Sequence, residues 1–506
     1  MAQAASKGGA AAATAATAAA EPCTAVQPHT FVQRTGYQGF GSFRSGNVEE
    51  MASDALWHPP PNPCQGAGLA TEPEADPATP ARADPATRSF GASCRSLFSI
   101  DFDRWTFINH GAFGAVLCCA ALEAEEWRRR CEAQPLLFLD RELFPQLLRV
   151  MRELADFVGC QARDLALLPN ATTGLNTVIQ SLRGRVDPGD ALFSLDIGYG
   201  SVKKMLAVVA EQTGAEHVEL AVQLPLSSPE EVVEQVAAAL PPNTRFAVFD
   251  AVTSNTAILL PICQLVELCQ SRGIEVLIDG AHALGMLPLD LQHLGADYFV
   301  ANCHKWLCAP RGSAFLHVQR RHQPHVRPLI VSHGLGSGFV SEFIWDGCRD
   351  YAPLLGISAA LRASRTLGPE SVRGYQRRLL AEATEAVVLA WGTGLLVPLS
   401  MCGSMALVEL PPGCVAASRA AAAAGSAGGS VAARAPDPAP PTSADAKYVQ
   451  DMLHYGHSVE CPVKCIGGRL YVRISVHIYN EAADYERLAA AVLHIAGQRA
   501  AEHAAS

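Results

Sequence analysis

The chain has no Cys-x-x-Cys pair, no concentrated basic stripe and no apolar stretch near its start long enough for a secretory signal. Sixteen cysteines occur among 506 residues, singly or as Cys118-Cys119, without the spacing of a disulfide framework or a zinc site. A reducing compartment follows. Cys461 and Cys465 are the nearest thing to a ligand pair, but no second pair matches them, so no metal is expected. With 49 acidic against 39 basic residues the formal charge is −10, and neither nucleic acid nor a membrane is expected as a partner. Residues 386–408 carry no charge and reach the length of a bilayer span. Gly392, Gly394, Pro398 and Gly403 divide that stretch into a helix end and two short buried strands.

What is present is the composition of a soluble enzyme-sized protein, about half apolar. Residues 1–89 are rich in Ala, Pro, Gly, Ser and Thr without hydrophobic periodicity and are expected to be disordered, with the fold beginning near Phe90. Residues 1–20 hold one lysine and no acid, which suits a transit peptide, although arginine is missing. An organelle such as the chloroplast and the cytoplasm both stay open; secretion does not.

From Leu165 to Val318 short apolar runs alternate with amphipathic helices, the pattern of a parallel sheet with crossover helices. Strands are predicted over 191–197, 217–222, 245–252, 275–278 and 298–301. Helices are predicted over 201–212, 229–240 and 261–272, the last closed by Gly273. A large α/β domain is thus expected over 90–350, and a smaller α+β domain over 351–500, with a long helical region to Leu389 and strands at 405–410 and 470–476. Residues 416–446, Ala/Gly/Ser/Pro-rich, are expected to form a surface insertion.

The chemistry gathers around Lys305, in Ala-Asn-Cys-His304-Lys305-Trp306, and Asp279, in Leu-Ile-Asp279-Gly-Ala-His282. An amine able to condense with an aldehyde, and a carboxylate able to keep a ring nitrogen protonated, are what pyridoxal 5'-phosphate chemistry requires. Each feature alone also reads plainly, as a surface lysine and an Asp-Gly turn. Their weight comes from what accompanies them. Asn170-Ala171-Thr172-Thr173-Gly174 leads from a strand into a helix, where hydroxyls and amides suit a phosphate or form an ordinary N-cap. Tyr199 follows a strand and could cover a planar ring. Asp250 ends another strand at the sheet edge where ligands bind, followed by the weaker candidates Ser254 and Asn255. His282 and His304 flank the Asp279 and Lys305 sites. Arg473 lies inside a predicted strand, where its charge is costly unless paired, as by a substrate carboxylate.

Together these residues resemble the class V aminotransferase family of fold-type I pyridoxal phosphate enzymes, and most closely its isopenicillin N epimerase-like branch. The resemblance covers residues 95–490 apart from the insertion. It is carried by Asn109-His110-Gly111 and Gly114, Asn170 to Asn176, Thr253-Ser254, Asp279 to His282, His304-Lys305-Trp306 with Pro310-Arg311-Gly312, and Arg473 to Asn480. It implies that Lys305 forms the Schiff base, Asp279 pairs with the ring nitrogen and Tyr199 covers the ring. Thr172 and Thr173 would hold the phosphate, and Arg473 with Asn109 the substrate. It implies a mostly parallel seven-stranded sheet and a homodimer, in which Gly347-Cys348 stands where a Gly-Thr pair reaches the neighbouring subunit's phosphate. Ala251 departs from the family in a position where histidine is common. The activity implied is that of the plant and algal L-cysteine desulfhydrase type, a carbon–sulfur lyase. An epimerase, an aminotransferase, a cysteine desulfurase using Cys461 or Cys465, and a non-catalytic relative are the alternatives.

Overall fold

A computed structural model describes residues 47–66, 89–414 and 440–505. The expected transit peptide lies outside the described residues, as does most of the expected insertion.

Twelve strands follow one another along the described chain: β1 (Thr106–Phe107), β2 (Leu165–Leu168), β3 (Ala191–Leu195), β4 (Glu216–Leu220), β5 (Thr244–Asp250), β6 (Glu275–Asp279), β7 (Tyr298–Asn302), β8 (Ala314–Val318), β9 (Met405–Glu409), β10 (Val459–Glu460), β11 (Val463–Ile466) and β12 (Arg469–Ser475). Seven of them form one sheet in the order β2-β8-β7-β6-β5-β3-β4. Only β8 runs against its neighbours. The link from Asn302 to Ala314 is too short for a crossover helix, so the chain can only turn back, a strand the sequence reading did not name. The runs Phe246 to Phe249, Val276 to Ile278 and Phe299 to Ala301 are buried on both faces, which is why they read as continuous apolar segments rather than alternating ones. Helices Gly200–Thr213, Pro229–Ala239 and Ile262–Ser271 connect the parallel strands as expected.

A smaller antiparallel sheet, β11-β12-β9, packs against helices Pro369–Trp391 and Ala482–Ala505 through Leu379, Val387, Val472, Ile474, Tyr485 and Val492. The expected long helical region is broken at Gly368, whose φ of 77° the α-helix cannot accommodate. All described residues belong to one compact unit. Among them no helix is long and apolar enough to cross a membrane.

Two boundaries differ from the sequence reading. Residues 47–66 are ordered rather than disordered: helix Asn47–Ser53 buries Val48 and Met51, and Trp57 is buried beyond it. Arg152 ties this segment down by donating to the carbonyl of Met51 at 2.8 Å and of Asp54 at 2.6 Å while covering the Trp57 ring. Val48, Met51 and Ala52 do fall at i, i+3 and i+4, but seven residues within a Pro- and Gly-rich surround are too few for that period to stand out in the sequence. The fold also resumes before 446. Helix Ser443–Asp451 starts inside the expected insertion, capped reciprocally by Thr442 and Asp445, with Ala446 buried.

Candidate active site

The chain passes from β4 back across β3 to β5, so the strand order reverses beside β3, and at that switch point the carboxyl ends of the parallel strands leave a crevice. It holds a cavity of about 180 Å³ whose walls include Thr172, Tyr199, Asp250, Asp279, His282, His304 and Lys305. Seven residues singled out from the sequence therefore meet in one place.

Asp250 and Asp279 are register partners at the ends of β5 and β6, and both are buried. Burial raises the pKa of each; for Asp250 the neighbouring Asp279 raises it further, so this carboxyl lies well above the usual carboxylate range. Asp279 is the member better supplied to hold a negative charge, since it accepts from the amide of Ala281 at 2.9 Å and has Lys305 nearby. Asp250 meets the cavity from the side of Tyr199, whose amide donates to it at 3.4 Å.

Lys305 follows β7 on a backbone held by close packing. Gly114 lies so near that a Cβ there would stand 2.1 Å from the His304 carbonyl oxygen and 2.7 Å from Lys305 Cα. The carbonyl of Lys305 accepts from the Cys308 amide at 3.1 Å and is 3.0 Å from Nε2 of His110. Burial pulls the pKa of His110 down to about 3, so its ring is neutral; Nε2–H donates to the carbonyl and Nδ1 accepts from the Tyr479 hydroxyl at 2.8 Å. The Lys305 amine sits 3.1 Å from Nε2 of His282, and the indole N–H of Trp306 donates to Nδ1 of the same ring at 3.2 Å. An indole can only donate, which leaves the proton of a neutral His282 on Nε2, directed at the lysine amine. An ammonium could not accept that hydrogen bond; a free amine can. Burial, against the pull of Asp279, brings the Lys305 pKa down to about 8.

The phosphate-binding expectation divides between its two threonines. Asn170, not either threonine, caps helix Ala171–Gln180, accepting from the Thr173 amide at 2.9 Å and hydroxyl at 3.1 Å. Thr173 is thereby turned to the cap, and Thr172 is the hydroxyl on the cavity wall. Asn302, missed in the sequence although it ends a strand three residues before Lys305, accepts from the Ala171 amide at 2.9 Å and fixes this helix end to β7. His304 lines the cavity with Nδ1 bonded to the Ser313 carbonyl at 3.0 Å.

Arg473 and Asn109 are not on the cavity wall but bonded to each other at 3.1 Å, behind Ser254, whose carbonyl also accepts from Arg473. Arg473 is 4% exposed, its Nε has no partner, and among the described residues no carboxylate lies within ion-pair distance. Burial lowers its pKa to about 10.

His110, Cys308 and His477 bring ligand-type atoms within 4.8 Å of one another beneath Lys305. The two imidazoles are stacked at 4.1 Å and 13°, so their in-plane lone pairs run side by side and do not converge on a shared ion.

An α/β sheet with a buried lysine and acid at its switch point defines a class of enzyme, and comparison with known proteins gives the family. The class V aminotransferase family model matches residues 143–387. A putative L-cysteine desulfhydrase of Oryza sativa subsp. japonica is 31% identical over 422 residues, covering 76% of this chain and 82% of that protein. Isopenicillin N epimerase of Amycolatopsis lactamdurans is 29% identical over 420 residues, covering 79% and 97%. A solved cysteine desulfurase from Thermococcus onnurineus NA1 shares the fold, with a TM-score of 0.65 and 13% identity over 81% of this chain and 99% of that one. The chain belongs to the class V aminotransferase family.

Proposed function

We propose that this protein is a pyridoxal phosphate-dependent carbon–sulfur lyase that converts L-cysteine and water to sulfide, pyruvate and ammonia. One observation carries the reading: a buried lysine, with its pKa lowered to about 8, shares a cavity with a buried aspartate pair, in a chain about 30% identical to proteins named L-cysteine desulfhydrase.

The residues fit the cofactor on their own chemistry. Lys305 supplies an amine whose pKa, lowered to about 8, leaves about a tenth of it as the free base at pH 7, far more than an ordinary lysine has. Asp279 supplies an anion at the depth where a ring nitrogen needs one, and Thr172 with its helix end supplies donors for a phosphate. Tyr199, about a third exposed at the mouth, has a face free to cover the ring. When bound, the cofactor withdraws electrons from the substrate's α-carbon. Lys305 would then take the α-proton, Asp279 would keep the ring nitrogen protonated, and Arg473, behind the wall at Ser254 and without an anion of its own, would hold the α-carboxylate.

A desulfurase would need a thiol able to swing toward the substrate. Cys461 is 1% exposed within the core of the smaller sheet, its Sγ 3.5 Å from the Arg473 carbonyl, and burial pushes its pKa well above the usual range. Cys465 is fixed in β11 with its Sγ 3.2 Å from the Pro441 carbonyl. Both observations favour the lyase, which needs no protein thiol. A second copy of the chain is proposed to cover the exposed run Leu329, Ile330 and Val331 with Leu335, completing a homodimer.

The test is the absorption spectrum of the purified protein before and after L-cysteine, with sulfide and pyruvate measured in the same sample. A visible band with equimolar sulfide and pyruvate is expected. A band without pyruvate would transfer the reading to epimerase, aminotransferase or desulfurase, and no band would overturn the cofactor.

A further inference from the structure

We infer that Asn109 and Glu460 are positioning residues for Arg473, and that their neutral-amide bridge is what reserves its guanidinium for a substrate carboxylate. The inference rests on reading Arg473 as the carboxylate-binding group.

The bridge is built from parts of the chain far apart in sequence. β1 pairs in parallel with β10, placing Phe107 opposite Glu460, and the Ile108 amide continues the ladder by donating to the Glu460 carbonyl at 3.2 Å. Asn109, the next residue, therefore lies beside the Glu460 side chain. Its Nδ2 donates to Glu460 Oε1 at 3.0 Å, and its Oδ1 accepts from Arg473 Nη2 at 3.1 Å. A guanidinium only donates and a carboxylate only accepts, so the orientation of the amide between them is unambiguous. The second oxygen of Glu460 is 2.8 Å from Nδ1 of the partly exposed His454. The order His454, Glu460, Asn109, Arg473 thus runs from the surface to a buried cation.

The chemistry of the bridge decides its effect. A carboxylate bonded directly to Arg473 would fill its fork and neutralise it, leaving little for a ligand. An amide holds the guanidinium plane by one hydrogen bond and contributes no charge, while Glu460, one side chain further out, holds the amide. This accounts for an arginine that is 4% exposed yet lacks an ion-pair partner among the described residues. An aspartate at position 109 would give Arg473 a resident anion that competes with the substrate and repels Glu460.

The experiment uses the cofactor-loaded full chain and two ligands: L-cysteine as substrate, and cysteamine, the same thiol-amine without the carboxylate, as inhibitor. Asn109→Asp is expected to raise KM for L-cysteine about tenfold or more, with kcat within about threefold and the inhibition constant of cysteamine unchanged. Glu460→Ala, which releases the amide, is expected to raise KM several-fold; Glu460→Gln, which keeps an acceptor oxygen for Asn109, is expected to restore it. Arg473→Gln serves as the reference. If Arg473→Gln raises KM while Asn109→Asp and Glu460→Ala do not, the bridge has no such role and the reading of Arg473 stands. If Arg473→Gln leaves KM unchanged, the reading of Arg473 falls and the inference with it. Parallel weakening of L-cysteine and cysteamine would show a general disturbance of the site and would also overturn the inference.

Discussion

Strands β6 and β7 carry polar residues at both ends, and the two ends follow opposite rules. At the amino edge, Glu275 accepts from Arg185 and, at 2.8 Å, from the Tyr298 hydroxyl. Asp297, just before β7, is met by His322 at 2.7 Å, the Val276 amide at 2.9 Å and Arg321. Burial works to raise the pKa of Asp297, but these partners outweigh it and the carboxyl ends below its usual value. At the carboxyl edge of the same strands, Asp279 is as little exposed, yet both it and Asp250 are raised and Lys305 is lowered. Solvent exposure alone therefore does not separate the two edges; depth and, above all, the supply of partners do. Where every charge has its partner, the cluster ties strands together. Where the charges are left underpaired around a cavity, their protonation is displaced toward chemistry.

The comparison breaks most sharply at Lys305. Lys305→Ala is expected to lower sulfide release at least about 10³-fold, since the group that binds cofactor and moves the proton is gone. The thermal midpoint should not fall, because a buried amine with a depressed pKa is a cost to the fold rather than a support. A variant that lost both activity and stability would place Lys305 with the structural edge instead. Next in size is the paired test of two aspartates. Asp279→Asn is expected to reduce kcat about 10²-fold or more while leaving the urea midpoint unchanged or higher. Asp297→Asn should do the reverse: it takes the carboxylate from His322 and from the largely exposed Arg321 and is expected to cost about 1–3 kcal/mol in urea unfolding, with activity per folded molecule retained.

The residues legible in the sequence were those whose position follows from local period. Asp250, Asp279 and Lys305 stand at or just beyond the ends of buried apolar runs, and a run that ends in a polar residue at the carboxyl edge of a parallel sheet announces a site. The family motifs around them gave the family, the cofactor and the sheet. Closures between distant segments were not legible. Nothing local to Asn109 shows that it meets Glu460 and Arg473, and nothing in Trp306 shows that its N–H sets the proton of His282. The two threonines were not told apart for a related reason: Asn170, Thr172 and Thr173 can each cap a helix, and only backbone geometry selects Asn170 and turns Thr173 toward it. Helix Asn47–Ser53 was hidden because its stability comes from Arg152 and the core it covers, not from its own periodicity.

Titration separates the two edges by sign. The folded value of Asp297 is depressed, so its stabilisation is complete above the ordinary carboxylate pKa and is lost as pH falls through the folded value. Lys305 is also depressed, to about 8 from 10.5, but for a base this means that burial of the charged form opposes folding. Between those two values the unfolded chain binds more protons than the folded one, so stability contributed at this site rises with pH. In the cofactor-free protein, Lys305→Met is therefore expected to be more stable than the parent below about pH 8, with the advantage shrinking toward pH 10 by up to about 1.4 kcal/mol per pH unit. A constant difference across that range would mean that the amine is paired as fully as the amino edge.

The smallest effect is expected where a paired cluster loses one hydroxyl and keeps its ions. Tyr298 is fully buried, and its hydroxyl donates to Glu275 while lying 3.2 Å from Arg185. Tyr298→Phe removes that hydroxyl but leaves the Arg185–Glu275 pair to satisfy itself, so the loss should be about 1 kcal/mol in urea unfolding, with kcat and KM for L-cysteine unchanged. A comparable removal at the other edge, Trp306→Phe, takes away a single N–H as well, yet it frees the proton of His282 to move to Nδ1 and so should raise the Lys305 pKa. Two deletions of one donor each, on opposite edges of one sheet, would then differ in kind: one read in unfolding and silent in the pH profile, the other read in the pH profile of the lysine.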